Sequence, residues 1–434
     1  MVGATFLTGP IFGHAGQAAH FDDAALARAM LTVEKELAAA QADVGLIPDR
    51  AGRAIGAAID GLQPDIGDLA RGVEAAAIPV PALVAQIRAA AGPDGADWVH
   101  YGATSQDIVD SAIMLCARAA LADLASGLTA VLDRLEANSR AHAHTPYIAR
   151  TRGQFAVPIT LGLRFARWAQ PLIGLERDLD RLTGACLRVQ LGGAAGNLSV
   201  MGPAGVEAGA RLATALGLSH GLSWHTDRTP ILGLAHWLHG LTAALAKLGT
   251  DTLISTRGEV AELRTKAGGG SSTMPHKSNT VSAEALGSIH VLATACLGGL
   301  TASAVHGEER DGVHWPVEWC LIPQIFELAG AALHRAAHLL DSLEVRPDIL
   351  GERLFDTPQI MAEAAVFKLL PKLGREGAVA AVKEALATGD ALADALGALG
   401  HDDIDWATEL DPKATGQMSE QVRAQIFGQR ATRR

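Results

Sequence analysis

The sequence predicts an all-α protein of three helical lobes around a central bundle of long helices. Apolar residues recur at a helical period of about 3.6 through four unusually long stretches. Aromatic residues make up only 4% of the chain while alanine is abundant, a composition that lets helices approach closely. The loops between the periodic stretches are punctuated by glycine, and no block rich in β-branched alternation interrupts them.

The first lobe, residues 1–95, carries short helical patterns such as DDAALARAMLTVEKELAAAQADVG, divided by Pro48, Pro64, Pro79 and Pro81. Asp22 and Asp23 stand where an N-cap belongs, ahead of that run. A loop from Ala91 to Asp107 leads into the central lobe, residues 96–345. Its long helices are expected over Ile108–His142, Pro158–Leu182, Pro230–Leu263 and Val281–Leu340. Beyond Val345 the patterns shorten again, and residues 346–434 form the third lobe.

Composition narrows the function. Among 434 residues, 49% are hydrophobic and 19% charged, as in a globular protein with a large core. A net charge of −11 argues against a nucleic-acid surface, although a local cation cluster still suits a small anion. Cys116, Cys186, Cys296 and Cys320 are too scattered for a disulfide frame or zinc site, which points to reduced thiols in the cytoplasm. The N-terminus shows no basic segment followed by a long apolar one, so no signal peptide is expected. Ala285–Val305 lacks charge over about a bilayer span, but its Gly, His, Ser and Thr content fits a buried bundle helix better than a membrane one. Long alanine-rich helices with few aromatic anchors also predict a homo-oligomer.

Four polar loops at the ends of the long helices hold the candidate chemistry. In Gly268–Thr280 (GGGSSTMPHKSNT), glycines allow motion, Ser271 and Ser272 bring hydroxyls, His276 and Lys277 bring cations, and Asn279 brings an amide. A serine acting on carbon needs electropositive surroundings, which Lys277 and loop N–H groups would supply. In His100–Asp107 (HYGATSQD), Thr104, Ser105 and Gln106 precede a long helix whose free N–H groups favour a carboxylate; simple capping accounts for the same residues. His100 is either an acid/base or a loop histidine. Arg150, Arg152 and Gln154 in the third loop, and His225 and Arg228 in the fourth, either bind carboxylates or solvate their loops.

Taken together, Thr104–Asp107 and the GSSTMPHKSN of residues 270–279 resemble two signature regions of the fumarase/aspartase superfamily, and the succession of lobes fits along the whole chain. VQLGGAAG (189–196), Trp224–Arg228, Glu309-Arg310, WPVEW (315–319) and Met361-Ala362-Glu363 resemble its bacterial 3-carboxy-cis,cis-muconate cycloisomerase branch. The resemblance implies a homotetramer with a twenty-helix core, active sites shared between subunits, and neither metal nor organic cofactor. It implies that Ser271 exchanges a proton with the carbon beside a substrate carboxylate. Lys277 and Asn279 would bind that carboxylate with Thr104 and Ser105, and Ser272 and Met274 belong to the same motif.

The chemistry so implied passes through an aci-carboxylate, whose extra charge needs fixed cations and dipoles. In the muconate branch a substrate carboxylate adds across a conjugated double bond and closes a lactone, a step of protocatechuate-type aromatic catabolism. Arg150, Arg152, Arg228 and Lys277 are candidate partners for a tricarboxylate. Two departures mark this chain. Ser278 and Thr280 stand where the family usually has Arg and Pro, and Arg152 stands where the lyases have a catalytic histidine. A cation has moved from one loop to another, which keeps a tricarboxylate site or selects a different third substituent such as sulfonate. The competing readings are a β-eliminating lyase releasing fumarate from a substituted succinate, with His100 or His225 as second acid/base, and an inactive structural scaffold.

Overall fold

The computed structural model describes residues 7–266, 269–270, 273–274 and 278–431. The protein is all-α, with helices set in chain order as α1 (Asp23–Asp43), α2 (Asp49–Gly61), α3 (Ile66–Ala76), α4 (Val80–Gly95) and the long α5 (Ser105–Ala141). A hairpin of β1 (Pro146–Thr151) and β2 (Gln154–Thr160) leads into α6 (Leu161–Cys186), α7 (Gly202–Leu216) and α8 (Thr229–Ser255). Then come β3 (Leu263–Thr265), β4 (Gly269–Gly270), β5 (Ser278–Asn279), α9 (Val281–Ser303) and α10 (Trp315–Ser342). The chain closes with β6 (Leu343–Val345), α11 (Pro347–Phe355), α12 (Ala362–Ala387) and α13 (Gly416–Ala431).

Two compact units emerge. The first draws on the described residues of Met1–Gly127, Asp178–Ala243 and Ser288–His334, the second on those of Leu128–Arg177, Ala244–Gly287 and Arg335–Arg434. Each of the five boundaries falls inside one of the helices α5, α6, α8, α9 and α10, so both units are built from parts of the same long helices.

Capping explains the start of α1, where the Asp22 carboxylate accepts the Ala25 N–H at 2.7 Å. Three expected helix boundaries move, each for a local reason. The helix expected from Pro158 begins at Leu161, because Gln154–Thr160 pairs with Pro146–Thr151 as an antiparallel hairpin rich in β-formers. The helix expected to reach Leu263 ends at Ser255. The chain then turns through Ala261 at φ 49° into β3, which pairs with β6. The single helix expected over Val281–Leu340 is two, α9 and α10. Between them Asp311 accepts the N–H groups of Gly307 (2.9 Å), Val313 (2.8 Å) and His314 (2.6 Å) and stitches a turn. Those donors, the His314 N–H first and the Gly307 N–H next, hold the Asp311 carboxyl far below the usual carboxylate range.

α8 and α9 are long and apolar enough to cross a membrane by length and composition alone. The most apolar window of α9 is only 33% buried, so the helix expected to be enclosed on all sides keeps an open face.

Candidate active site

The first unit gathers the His100–Asp107 segment, the glycine-rich segment near residue 192 and the Trp224–Arg228 segment around the start of α5. In the first turn of α5 the Asp107 carboxylate accepts the Thr104 N–H at 3.0 Å, one half of a capping box. The same carboxylate accepts from Gly192 N (2.9 Å), Gly193 N (2.9 Å), Gln190 Nε2 (3.4 Å) and His225 Nε2 (2.8 Å), with no exposed surface of its own. Glycine is needed at 192, since a Cβ would lie 2.5 Å from Ser223 Oγ and 2.9 Å from His225 Cε1.

Asp107 accepts every one of these bonds, so the fitting His225 tautomer carries its hydrogen on Nε2. Nδ1 of His225 then offers a lone pair, and it is buried without a partner among the described residues. The hydroxyls of Thr104 and Ser105 have no partner among the described residues and remain available for a ligand.

Arg228 lies just behind. Its guanidinium is held by Asp110 (Nη1, 2.9 Å) and by Glu318 (Nε, 3.0 Å; Nη2, 2.5 Å), and it stacks over the Trp224 ring at 4.7 Å. Burial opposes its charge, but Asp110 and Glu318 outweigh that and raise its pKa well above the ordinary arginine value. Gln106 Nε2 bridges Asp110 (3.2 Å) and the His225 carbonyl (2.9 Å), while Trp315 Nε1 donates to Asp110 at 2.9 Å. Burial likewise opposes ionisation of Glu318, yet the His306 imidazole 3.5 Å away and the hydrogen-bonded Arg228 guanidinium hold its pKa below the usual glutamate value.

His100 begins the same segment with a left-handed backbone, φ 62°. Its Nδ1 lies 2.6 Å from the Glu34 carboxylate, which is 1% exposed.

The second unit holds the other arginines. Arg150 makes a two-pronged pair with Glu262 (3.0 and 2.5 Å), donates to the Tyr147 hydroxyl at 3.0 Å and covers the Phe155 ring at 4.9 Å. Burial opposes its charge and Glu262 more than restores it. Arg152 differs: it stands exposed at the tip of the β1–β2 hairpin with no partner among the described residues. Arg152 and Gly153 both have positive φ (52° and 83°), as a two-residue type I′ turn requires. Gln154 is exposed beside it, across from Thr151. In the Gly268–Thr280 stretch, β4 pairs with β5 so that Asn279 faces Gly269 and Ser278 faces Gly270, and Met274 is exposed. Ser271, Ser272, His276 and Lys277 lie outside the described residues.

Thus Gln106, His225 and Arg228 come together in one buried network, with His100 on Glu34 beside it. Arg150 and Arg228, expected as open carboxylate binders, each have protein carboxylates as partners, because a buried guanidinium demands a counter-charge. Sequence reading missed Glu34, Asp110, Glu262 and Glu318 as site-building residues and took Asp107 only as part of a motif. One signal was available. Glu34 and Gln41 fall on the apolar stripe of α1 with Met30 and Leu37, where a polar side chain needs a buried partner. Among the described residues, no group of three His, Cys, Asp or Glu side chains is placed to hold a metal ion.

The chain is similar to known proteins along most of its length. The lyase family model matches residues 14–294. A 3-carboxy-cis,cis-muconate cycloisomerase from Acinetobacter baylyi is 36% identical over 381 residues, 85% of this chain and 84% of the relative. A nitrosuccinate lyase from Streptomyces davaonensis is 36% identical over 397 residues, 87% of this chain and 83% of the relative. The crystal structure of a 3-carboxy-cis,cis-muconate lactonizing enzyme from Pseudomonas putida superposes with a TM-score of 0.87. It is 29% identical, over 98% of this chain and 99% of that one.

Proposed function

This chain belongs to the lyase family, within the fumarase/aspartase superfamily, and we propose that it is a cycloisomerase closing a lactone from 3-carboxy-cis,cis-muconate or a close analogue. The observation that carries this reading is likeness, over more than four-fifths of the chain, to relatives of that activity from four bacteria.

The reaction balances simply. A substrate carboxylate oxygen forms a bond to a ring-closing carbon, the adjacent π bond breaks, and the α-carbon takes up one proton. A trianion becomes a dianion, so the site must deliver that proton and hold an extra charge while the aci-carboxylate exists. In this reading Ser271 is the acid that protonates carbon, and Lys277 and Asn279 hold the carboxylate that bears the developing charge. Thr104 and Ser105 bind a second carboxylate at the start of α5, where unpaired N–H groups favour an anion. Arg152, an exposed cation, takes the third substituent together with Gln154, while Ser272 and Met274 line the site. Arg150 and Arg228 act through the groups they hold: Arg228 sets the Trp224–His225 backbone, whose carbonyls lie 3.1 and 3.4 Å from its Nη1. His100 serves as a cation or proton donor toward the polycarboxylate substrate.

We also propose a soluble cytoplasmic homotetramer of three-lobed subunits (1–95, 96–345, 346–434). What supports the assembly is α9, whose exposed residues Glu284, Ser288, Val291, Ala295, Gly298 and Ala302 recur at alternating spacings of four and three. That is the spacing with which one helix packs along another.

The test is incubation with 3-carboxy-cis,cis-muconate while diene absorbance is followed. Its loss in wild type, cut by ~10²–10⁴ in Ser271→Ala at unchanged fold and mass, is expected. Near-normal activity of that variant would remove Ser271 from the mechanism. A second reading, β-elimination from a substituted succinate, is favoured by the likeness to a nitrosuccinate lyase. An unchanged diene absorbance, with fumarate released from a substituted succinate, would put it first.

A further inference from the structure

α1 presents two buried polar side chains to the loop before α5. Glu34 and Gln41, both 1% exposed, are two helical turns apart and therefore on one face. Gln41 Nε2 donates to the Tyr101 carbonyl at 2.6 Å, and Arg88 of α4 donates to the Val99 carbonyl at 3.4 Å. The backbone of the loop is thus already held on both sides of residue 100. The Glu34 contact is of another kind, because it goes to the imidazole of His100 at 2.6 Å and to no backbone group.

The residue it grips is costly to place. His100 has φ 62°, a region where a non-glycine residue costs about 1–2 kcal/mol. A loop needing only a turn there is better served by glycine or asparagine. Bulk at this point is further limited two residues on, where a Cβ on Gly102 would lie 2.8 Å from Met201 Cγ. The imidazole is therefore held by its own carboxylate in a strained backbone, with Nε2 free of partners among the described residues.

We propose that Glu34 is a positioning residue of the active site, which fixes the hydrogen of His100 on Nδ1 or both nitrogens and so presents Nε2 to the polycarboxylate substrate. This rests on the reading of His100 as part of the cycloisomerase machinery. Three charged groups face the ring: Glu34 from α1, Arg88 from α4 and Asp107 from α5. Burial works against the imidazolium, but the charge and hydrogen bond of Glu34, aided by Asp107 and opposed by Arg88, raise the His100 pKa above the ordinary histidine value. Glu34 thereby widens the pH range in which His100 stands as a cation and proton source beside an anionic substrate.

The experiment is the pH profile of kcat and KM for 3-carboxy-cis,cis-muconate in the full-length protein, with circular dichroism and gel filtration to check fold and mass. Glu34→Gln keeps shape but removes charge, and the alkaline limb of its kcat/KM profile is expected to move to lower pH. Its kcat should fall by less than the ~10²-fold expected for His100→Asn, with KM changed little. Glu34→Asp, which keeps the charge one methylene further away, should fall between wild type and Glu34→Gln. If His100→Asn is impaired while both Glu34 variants retain the wild-type profile, the proposal is overturned and the role of His100 stands. Should Glu34→Gln not fold, a wild-type profile in Glu34→Asp is sufficient to overturn it. Full activity in His100→Asn would remove the reading beneath it. If wild type turns over no carboxymuconate, the cycloisomerase reading itself has failed. The pH profiles of the same variants are then compared in the fumarate-release assay, where a shifted alkaline limb supports the role of Glu34 and an unshifted one overturns it.

Discussion

Two imidazole–carboxylate pairs in the first unit follow opposite rules of construction. At Asp107–His225 the carboxylate accepts five hydrogen bonds, has no exposed surface, and its histidine is 3% exposed. At Glu34–His100 the carboxylate makes one hydrogen bond among the described residues, and the histidine side chain is 16% exposed. The first pair ties three distant segments together, so its chemistry is inseparable from its folding role. The second is a single contact in a loop whose backbone is held by other groups. The saturated pair should therefore answer to stability measurements, and the sparse pair to pH.

The largest effect is expected where the bonds are most numerous. Asp107→Asn keeps the volume but turns one oxygen into a donor that faces other donors. Breaking a buried charged contact in this way costs about 3–5 kcal/mol. Denaturant unfolding should show that loss, with activity falling alongside because Thr104 and the 192–193 backbone lose their anchor. A loss below about 1 kcal/mol would break the comparison, since it would make Asp107 as dispensable as a surface group.

At the sparse pair the effect should be smaller and carried by pH. A charge-assisted hydrogen bond contributes about 1.5–3 kcal/mol. The raised pKa of His100 gives its sign: folding takes up the proton more tightly than the unfolded chain does. The stabilisation is therefore full below the unfolded histidine value of about 6.5 and is lost as pH rises through the raised folded value. The stability gap between wild type and Glu34→Gln should be widest in mild acid and narrow in mild alkali. A gap that stays constant with pH would show that Glu34 acts by packing alone. Glu318 supplies an internal control with the opposite sign, because its pKa is lowered in the folded protein. Its contribution is present above the unfolded glutamate value of about 4.3 and disappears as pH falls through the folded one.

How much of this was legible in the sequence follows from the range of each interaction. The helical class was readable because a 3.6-residue period is local. The two signature stretches were readable because their residues are contiguous. The carboxylate network was not, since its partners stand far apart in the chain: Gly192 is 85 positions from Asp107, and Glu318 is 90 from Arg228. Nor was the β1–β2 hairpin, whose second strand runs without a gap into α6 and was absorbed by its apolar pattern. The turn at 304–314 was hidden in the same way, as apolar spacing resumes beyond it and only Asp311 collects the N–H groups that end the run. Glu34 is the intermediate case. Its place on the apolar stripe of α1 was visible, but its partner 66 positions away was not.

The smallest expected effect tests whether a third charged group shares the logic of His100. Arg152, like His100, is a large residue in the left-handed region, and it too lacks any backbone role that demands its side chain. A type I′ turn prefers Asn-Gly, and Gly153 is already in place. Arg152→Asn should therefore stabilise the hairpin, by at most the ~1–2 kcal/mol that a left-handed non-glycine residue costs. If Arg152 binds the third substituent, the same change should raise KM for the tricarboxylate more than it lowers kcat. A sulfonate analogue should then lose binding in parallel. Gain of stability with loss of affinity would mean that the turn keeps arginine for function at the expense of its own fold. Gain of stability with unchanged KM would return Arg152 to the solvated surface, and His100 would then differ from it in having a protein carboxylate that justifies its side chain in a strained backbone.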